Sequence, residues 1–105
     1  MANNISLTVR LPKELNIALT KLSKELGITK VNLLRFAIHL FLSERPTSLT
    51  FTDTTATKDK ARLVFLTNQV TYDLLADASA KYGQSINSVI TSIAMLSLEH
   101  YSKYL

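Results

Sequence analysis

The chain is predicted to be mainly α-helical with one two-stranded antiparallel β ribbon, contributed by two strand-helix-helix segments in tandem. Three observations predict this. Residues 5–11 and 61–67 each read as a short strand. Apolar residues at helical spacing follow both. Glycines at positions 27 and 83, 56 residues apart, each precede a hydroxyl residue suited to cap a further helix.

Length and composition bound what such a chain can be. With 105 residues and 47% hydrophobic content it holds one modest core. The absence of cysteine excludes disulfides, thiolate nucleophiles and Cys-ligated zinc, and fits a reducing, cytoplasmic setting. Met1 to Asn4 lead into alternation rather than a basic segment and an apolar run, so no signal peptide is expected. The most apolar stretch, Val31 to Leu42, is broken by Asn32, Arg35 and His39 and is too short to cross a bilayer, so no membrane partner is expected. The net charge is +4, and all of the excess lies early. Residues 1–45 hold seven basic and three acidic side chains, whereas residues 46–105 hold five of each. That distribution suits a polyanionic partner for the first half.

Ile5-Ser6-Leu7-Thr8-Val9-Arg10-Leu11 alternates apolar and polar residues without a fault, as a strand with one buried face does. Ile5, Leu7, Val9 and Leu11 face inward; Ser6, Thr8 and Arg10 face out. Pro12 ends the ladder, because it has no N–H to donate and its fixed φ suits the first turn of a helix. The first helix carries Leu15, Leu19, Leu22 and Leu26 on one face and Lys13, Glu14, Lys21, Lys24 and Glu25 on the other. Gly27 stands where a left-handed residue closes that helix, and Ile28 supplies the apolar contact that accompanies it. Thr29 caps a second helix, about Lys30 to Ser43, that is apolar around most of its circumference and is therefore expected to be the most buried element.

From Glu44 to Lys60 the composition becomes polar and threonine-rich after Pro46, which reads as a linker with Leu49 and Phe51 as candidates for docking on the domain. The chain thus divides into residues 1–45, a linker 46–60 and residues 61–105, together one compact domain. Ala61 to Thr67 reads as the second strand. Asn68 caps a helix with Leu74, Leu75, Ala78 and Tyr82, and Gly83 ends it. Ser85 caps a last helix with Ile86, Val89, Ile90, Ile93 and either Met95 or Leu96 on its face. A shift of about 56 positions lays Gly27 on Gly83, Thr29 on Ser85, Leu7 on Leu63 and Leu19 on Leu75.

Residues 5–12, the leucine-striped helix, the Gly27-Ile28-Thr29-Lys30 turn and residues 33–38 resemble the ribbon-helix-helix family of DNA-binding proteins. Residues 61–105 resemble it more loosely: they keep the Gly83-Gln84-Ser85 turn, lack the proline and turn apolar residues outward. Two copies in one chain resemble the family's single-chain tandem members, among them accessory proteins of plasmid conjugation. The resemblance implies a tandem ribbon-helix-helix fold forming an intramolecular pseudo-dimer. It also implies sequence-specific binding of double-stranded DNA through a β ribbon in the major groove, without a cofactor. The role it implies is that of a transcriptional regulator or repressor of plasmid or phage type, or of a conjugation (relaxosome) accessory protein.

Elementary packing asks for the same arrangement. One strand and two helices cannot close a core, and a lone strand leaves both edges unpaired. Two such segments can pair their strands and bury Ile5, Leu7, Val9, Leu11, Leu63 and Phe65 against Leu34, Ile38, Ile90 and Ile93, each worth about 1.5–3 kcal/mol when fully buried. A linker of about 17 residues reaches about 55 Å when extended, so pairing within one chain is permitted; pairing of first strands between two chains is the alternative.

In the family the outward strand residues read bases, so the resemblance assigns base contacts to Ser6, Thr8 and Arg10. Arg10 has the fork that can bond guanine O6 and N7 together. In the same register the second strand turns out Arg62, Val64 and Leu66. Arg62 suits a base or a phosphate; Val64 and Leu66 suit thymine methyl groups, or cover by the linker or another chain. Recognition is therefore expected to be asymmetric, since a register shifted by one would expose Leu63 and Phe65 and bury Arg62. The helix N-termini at Thr29, Lys30 and Val31 and at Ser85, Ile86 and Asn87 offer free amides to phosphates, with Lys13 and Lys30 as added cations.

Other readings of these residues compete. Seen alone, Ser6, Thr8 and Arg10 read as an ordinary solvated strand face; the turn and helices around them reverse that preference. Catalysis and metal binding are not expected. His39 and His100 have no suitable sequence neighbours, Asp73 and Asp77 read as a solvated helix face, and two glycines make no phosphate loop. Tyr101 and Tyr104 read as helix packing. The main alternative is an antitoxin-like interaction module whose core only dimerises, with Val64, Leu66 and the tail Leu98 to Leu105 holding a protein partner. One ribbon covers a short site, so cooperative self-association on adjacent sites is also expected. A helical bundle without strands is the third reading.

Overall fold

The computed structural model describes residues 5–44, 48–51 and 60–102. In chain order the elements are β1 (Ile5–Pro12), α1 (Lys13–Leu26), α2 (Lys30–His39) prolonged by a π-helical turn at Leu40–Glu44, β2 (Lys60–Thr67), α3 (Gln69–Tyr82) and α4 (Ile86–Ser102). The protein is mainly helical with one two-stranded antiparallel sheet, which excludes the bundle without strands.

Burial alternates residue by residue along both strands and gives the sheet its two faces. Leu7 lies opposite Phe65, Val9 opposite Leu63 and Leu11 opposite Ala61, in the register expected from inward-facing apolar residues. Val9, Leu11 and Phe65 are fully buried, and Leu7 and Leu63 pack half-buried against the same core. Because the partners come from one chain, the strands cover each other's inner edge without a second molecule.

Three helix starts and two helix ends carry identifiable caps. Thr29 Oγ1 accepts from the Asn32 N–H at 3.1 Å, Asn68 Oδ1 from the Thr71 N–H at 2.9 Å and Ser85 Oγ from the Ser88 N–H at 3.1 Å. Gly27 closes α1 at φ 74°, and the amides of Gly27 and Ile28 return to the carbonyls of Lys24 and Ser23. Gly83 does the same for α3 at φ 64°. Across Gly27 the chain bends by 91° into α2.

Behind the ribbon, α2 and α4 pack on each other, and α1 and α3 each pack on that pair. The crossing is interlaced: α4 also packs on β1 and α2 on β2, so each strand is backed by a helix from the other half of the sequence. The second helix is not alone as the most buried element, because α4 is buried to the same extent: four of the ten residues of α2 are buried and seven of the seventeen of α4. Phe36 is 56% exposed, and α2 buries only Leu33, Leu34, Ala37 and Ile38. In α4, seven residues are buried, among them Thr91, Ser92 and Ser97. Counting apolar residues missed this because the hydroxyls are satisfied inside. Thr91 donates to the Asn87 carbonyl, Ser97 to that of Ile93 and Ser92 to that of Thr50, all within 2.8–2.9 Å. Of the two candidates for the α4 face, Leu96 is half-buried and Met95 points to solvent.

Residues 48–51 dock as their apolar content suggested. Leu49 is buried, its N–H donates to the Tyr82 hydroxyl, and the Phe51 ring lies 5.3 Å from that of Tyr82. Lys60, expected at the end of the linker, opens β2; the other linker residues, and residues 103–105 of the tail, lie outside the described residues. Among the described residues no single helix is long and apolar enough to cross a membrane.

Phe65 sits at the centre of this arrangement, fully buried and opposite Leu7. Phe65→Ala is expected to destabilise the protein by about 3–5 kcal/mol in urea denaturation. Phe36→Ala, at an exposed site, should shift stability by no more than about 0.5 kcal/mol.

Candidate nucleic-acid interface

The outer face of the ribbon is built from three cross-strand pairs: Ser6 with Leu66, Thr8 with Val64 and Arg10 with Arg62. All six residues are exposed, Val64 by 50% and Leu66 by 52%. The Asn87 side chain takes both backbone groups of Arg10: its Oδ1 accepts from the Arg10 N–H at 2.7 Å, and its Nδ2 donates to the Arg10 carbonyl at 3.0 Å. Those backbone groups therefore point away from β2, which makes Arg10–Arg62 a non-hydrogen-bonded pair. By alternation Thr8–Val64 and Ser6–Leu66 are the same kind of pair, the kind in which facing side chains approach most closely.

Two arginines directly opposite one another repel, a cost that a ribbon facing only water has no reason to carry. Among the described residues neither guanidinium meets a carboxylate or a hydrogen-bond acceptor, and exposed Lys60 and Lys13 lie at the same end of the ribbon. The result is a concentrated positive potential on a narrow ridge. At the other end the face turns apolar, with Val64 and Leu66 beside Thr8 and Ser6.

Both central helices reach an outer edge of this ribbon, α4 with its first turn and α2 with its second. Asn87, in the first turn of α4, ties that end to the free edge of β1. On the other edge, the Arg35 guanidinium of α2 donates to the Leu66 carbonyl of β2 and to Asn32 Oδ1, while it lies 5.9 Å from the centre of the Phe65 ring. Thr29 and Ser85 spend their hydroxyls on the third amides of α2 and α4. The amides of Lys30 and Val31, and of Ile86 and Asn87, have no intrahelical acceptor. An anion beside either helix start meets these donors and the positive end of the helix dipole.

The individual phosphate candidates fare differently. Lys13 is exposed at the start of α1. Lys30 turns back to α1, where its ammonium donates to Asn16 Oδ1 at 2.6 Å and Thr20 Oγ1 at 3.2 Å, which leaves one of its three N–H groups. Val31 and Ile86 are half-buried. Sequence reasoning missed two structural roles. Asn87 was an amide donor and is also a clamp on β1; Arg35 was a break in an apolar run and is a clamp on β2. Arg35 as the one cation inside Val31 to Leu42 was the available signal.

The two histidines are engaged in packing. His39 Nε2 lies 2.8 Å from Thr71 Oγ1 of α3, and the His100 ring meets Phe41 and Tyr101 edge-on. Among the described residues no three His, Asp or Glu side chains come together as a metal site. No family model, no curated protein and no solved structure matches this chain.

Replacing Asn87 by alanine removes both contacts to the Arg10 backbone. Asn87→Ala should lower unfolding stability by about 1–3 kcal/mol, whereas Ser6→Ala should change it by less than about 0.5 kcal/mol, both read from urea midpoints.

Proposed function

We propose that the protein binds double-stranded DNA sequence-specifically by laying the β1–β2 ribbon in the major groove, as a transcriptional regulator of repressor type. The observation that carries this reading is the facing pair Arg10–Arg62 on an exposed ribbon whose two edges are held by the central helices, through Asn87 of α4 and Arg35 of α2. A two-stranded ribbon fits the width of the major groove, and its outer side chains then reach base edges. A duplex also supplies the negative charge that relieves the arginine pair.

In this reading Ser6, Thr8, Arg10, Arg62 and Val64 face the bases. Arg10 and Arg62 suit guanine, Thr8 and Ser6 donate or accept, and Val64 and Leu66 suit thymine methyl groups. The amides at Thr29, Lys30 and Val31 grip one phosphate strand and those at Ser85 and Ile86 the other, with Lys13 as an added cation. The two halves of the chain act as tandem ribbon-helix-helix units, a pseudo-dimer in one polypeptide, with residues 1–45 and 61–105 as its two parts. The same geometry serves a conjugation accessory protein. A cytoplasmic location goes with either role.

Val64 and Leu66, half exposed on the same face, favour a second reading in which that end of the ribbon holds a protein partner. The two readings differ in salt dependence. DNA binding should weaken steeply as salt rises, whereas an apolar protein contact should not.

Selection from a random duplex library, followed by fluorescence anisotropy at several salt concentrations, tests the proposal. Arg10→Ala should weaken binding to the selected site by about 1–3 kcal/mol and relax preference at one base pair. Binding of a partner that ignores salt and is lost in Leu66→Asp would establish the second reading instead. Light scattering of the free protein should give the mass of one chain at low concentration; an obligate dimer would refute the single-chain pseudo-dimer.

A further inference from the structure

The exposed faces of α1 and α3 occupy equivalent places in the two halves, 56 positions apart, yet they carry opposite charge. Along the middle of α1 run Ile17, Lys21 and Lys24; the equivalent positions of α3 are Asp73, Asp77 and Ala80. All six are exposed. Among the described residues, Lys21, Lys24 and Asp77 have no ion-pair partner, and Asp73 meets only Gln69 of its own helix at 2.7 Å. Ile17 and Val70 are the two most exposed large apolar residues, at 58% and 63%, and one lies on each face. Beside Ile17 is a shallow depression of about 310 Å³ lined by Thr20, Lys21 and Lys24.

We infer that a second copy of this chain docks on the first, with α1 of one molecule packed antiparallel against α3 of the next. In that orientation Lys21 meets Asp77, Lys24 meets Asp73 and Ile17 meets the small Ala80, so opposite charges coincide along the contact and an apolar pair closes one end of it. Such a contact is heterologous. It leaves an unused α1 at one end and an unused α3 at the other, and so builds rows rather than closed dimers. Neither face includes the ribbon, so a row leaves every ribbon free. Its use in filling adjacent DNA sites rests on the function proposed above; the association itself does not.

Sedimentation of the full-length protein without DNA tests the inference. Wild type should associate with rising concentration at low ionic strength and return to single chains at high salt, because exposed ion pairs are screened. Two doubly substituted proteins separate the faces: Lys21→Asp with Lys24→Asp, and Asp73→Lys with Asp77→Lys. Each alone should associate at least about tenfold more weakly than wild type, and an equimolar mixture of the two should recover association, since acidic α1 then meets basic α3. Circular dichroism and urea midpoints confirm that both variants are folded. Because the chain has no cysteine, a second readout is available. Lys24→Cys mixed with Asp73→Cys should form a mixed disulfide faster than either protein couples to itself. Wild type that stays a single chain at its solubility limit in low salt, charge-reversed proteins that associate as wild type does, or a mixture that recovers nothing would each overturn the inference. DNA binding that fails while this association persists would overturn the proposed function alone.

Discussion

Antiparallel pairing of β1 with β2 is the contact on which everything else depends. Neither strand has another partner within the sheet, and each on its own would present two unpaired edges to water. Joined, they bury Val9, Leu11 and Phe65 on one side and leave a six-residue polar and apolar face on the other. The inner side gives the helices something to cover. The outer side is narrow and carries the facing pair Arg10–Arg62.

The helices secure that pairing by crossing over. Asn87 of α4 holds the backbone of β1, and Arg35 of α2 holds the backbone of β2, so each strand is fastened by the half of the chain it does not belong to. The clamps differ in chemistry but occupy corresponding edges. They also explain how two polar side chains at the margin of an apolar core are tolerated: each satisfies backbone groups that a two-stranded sheet would otherwise leave unpaired. A consequence is that the helix starts are placed by the ribbon itself. Asn87 lies in the first turn of α4 and Arg35 in the second turn of α2, so the early part of each central helix is held at an edge of the ribbon.

The two halves share a plan without sharing a surface. The first contributes Ser6, Thr8 and Arg10 to the outer face, and the second Arg62, Val64 and Leu66. Lys30 is drawn back onto α1, and the stretch 48–51 is bonded to α3 and α4. A partner with exact two-fold symmetry would meet unequal halves. Asymmetry of this kind is available only to a chain that carries both halves in one polypeptide, because in a true homodimer any substitution appears twice.

Local pattern alone determined most of the scaffold. Faultless alternation at 5–11, glycine and hydroxyl residues at both helix turns and the leucine stripe of α1 each express a preference of the backbone or of one face for burial, and such preferences act over a few residues. The strand register was legible for the same reason, since a slip by one would have buried Arg62. Long-range packing decided the rest. That α4 is as deeply buried as α2 depends on Thr91, Ser92 and Ser97 finding acceptors in the folded chain. Likewise, the meeting of Arg10 with Arg62, of Asn87 with β1 and of Lys30 with α1 joins residues far apart in sequence. No local preference encodes those meetings; they exist only once burial has brought the two strands together.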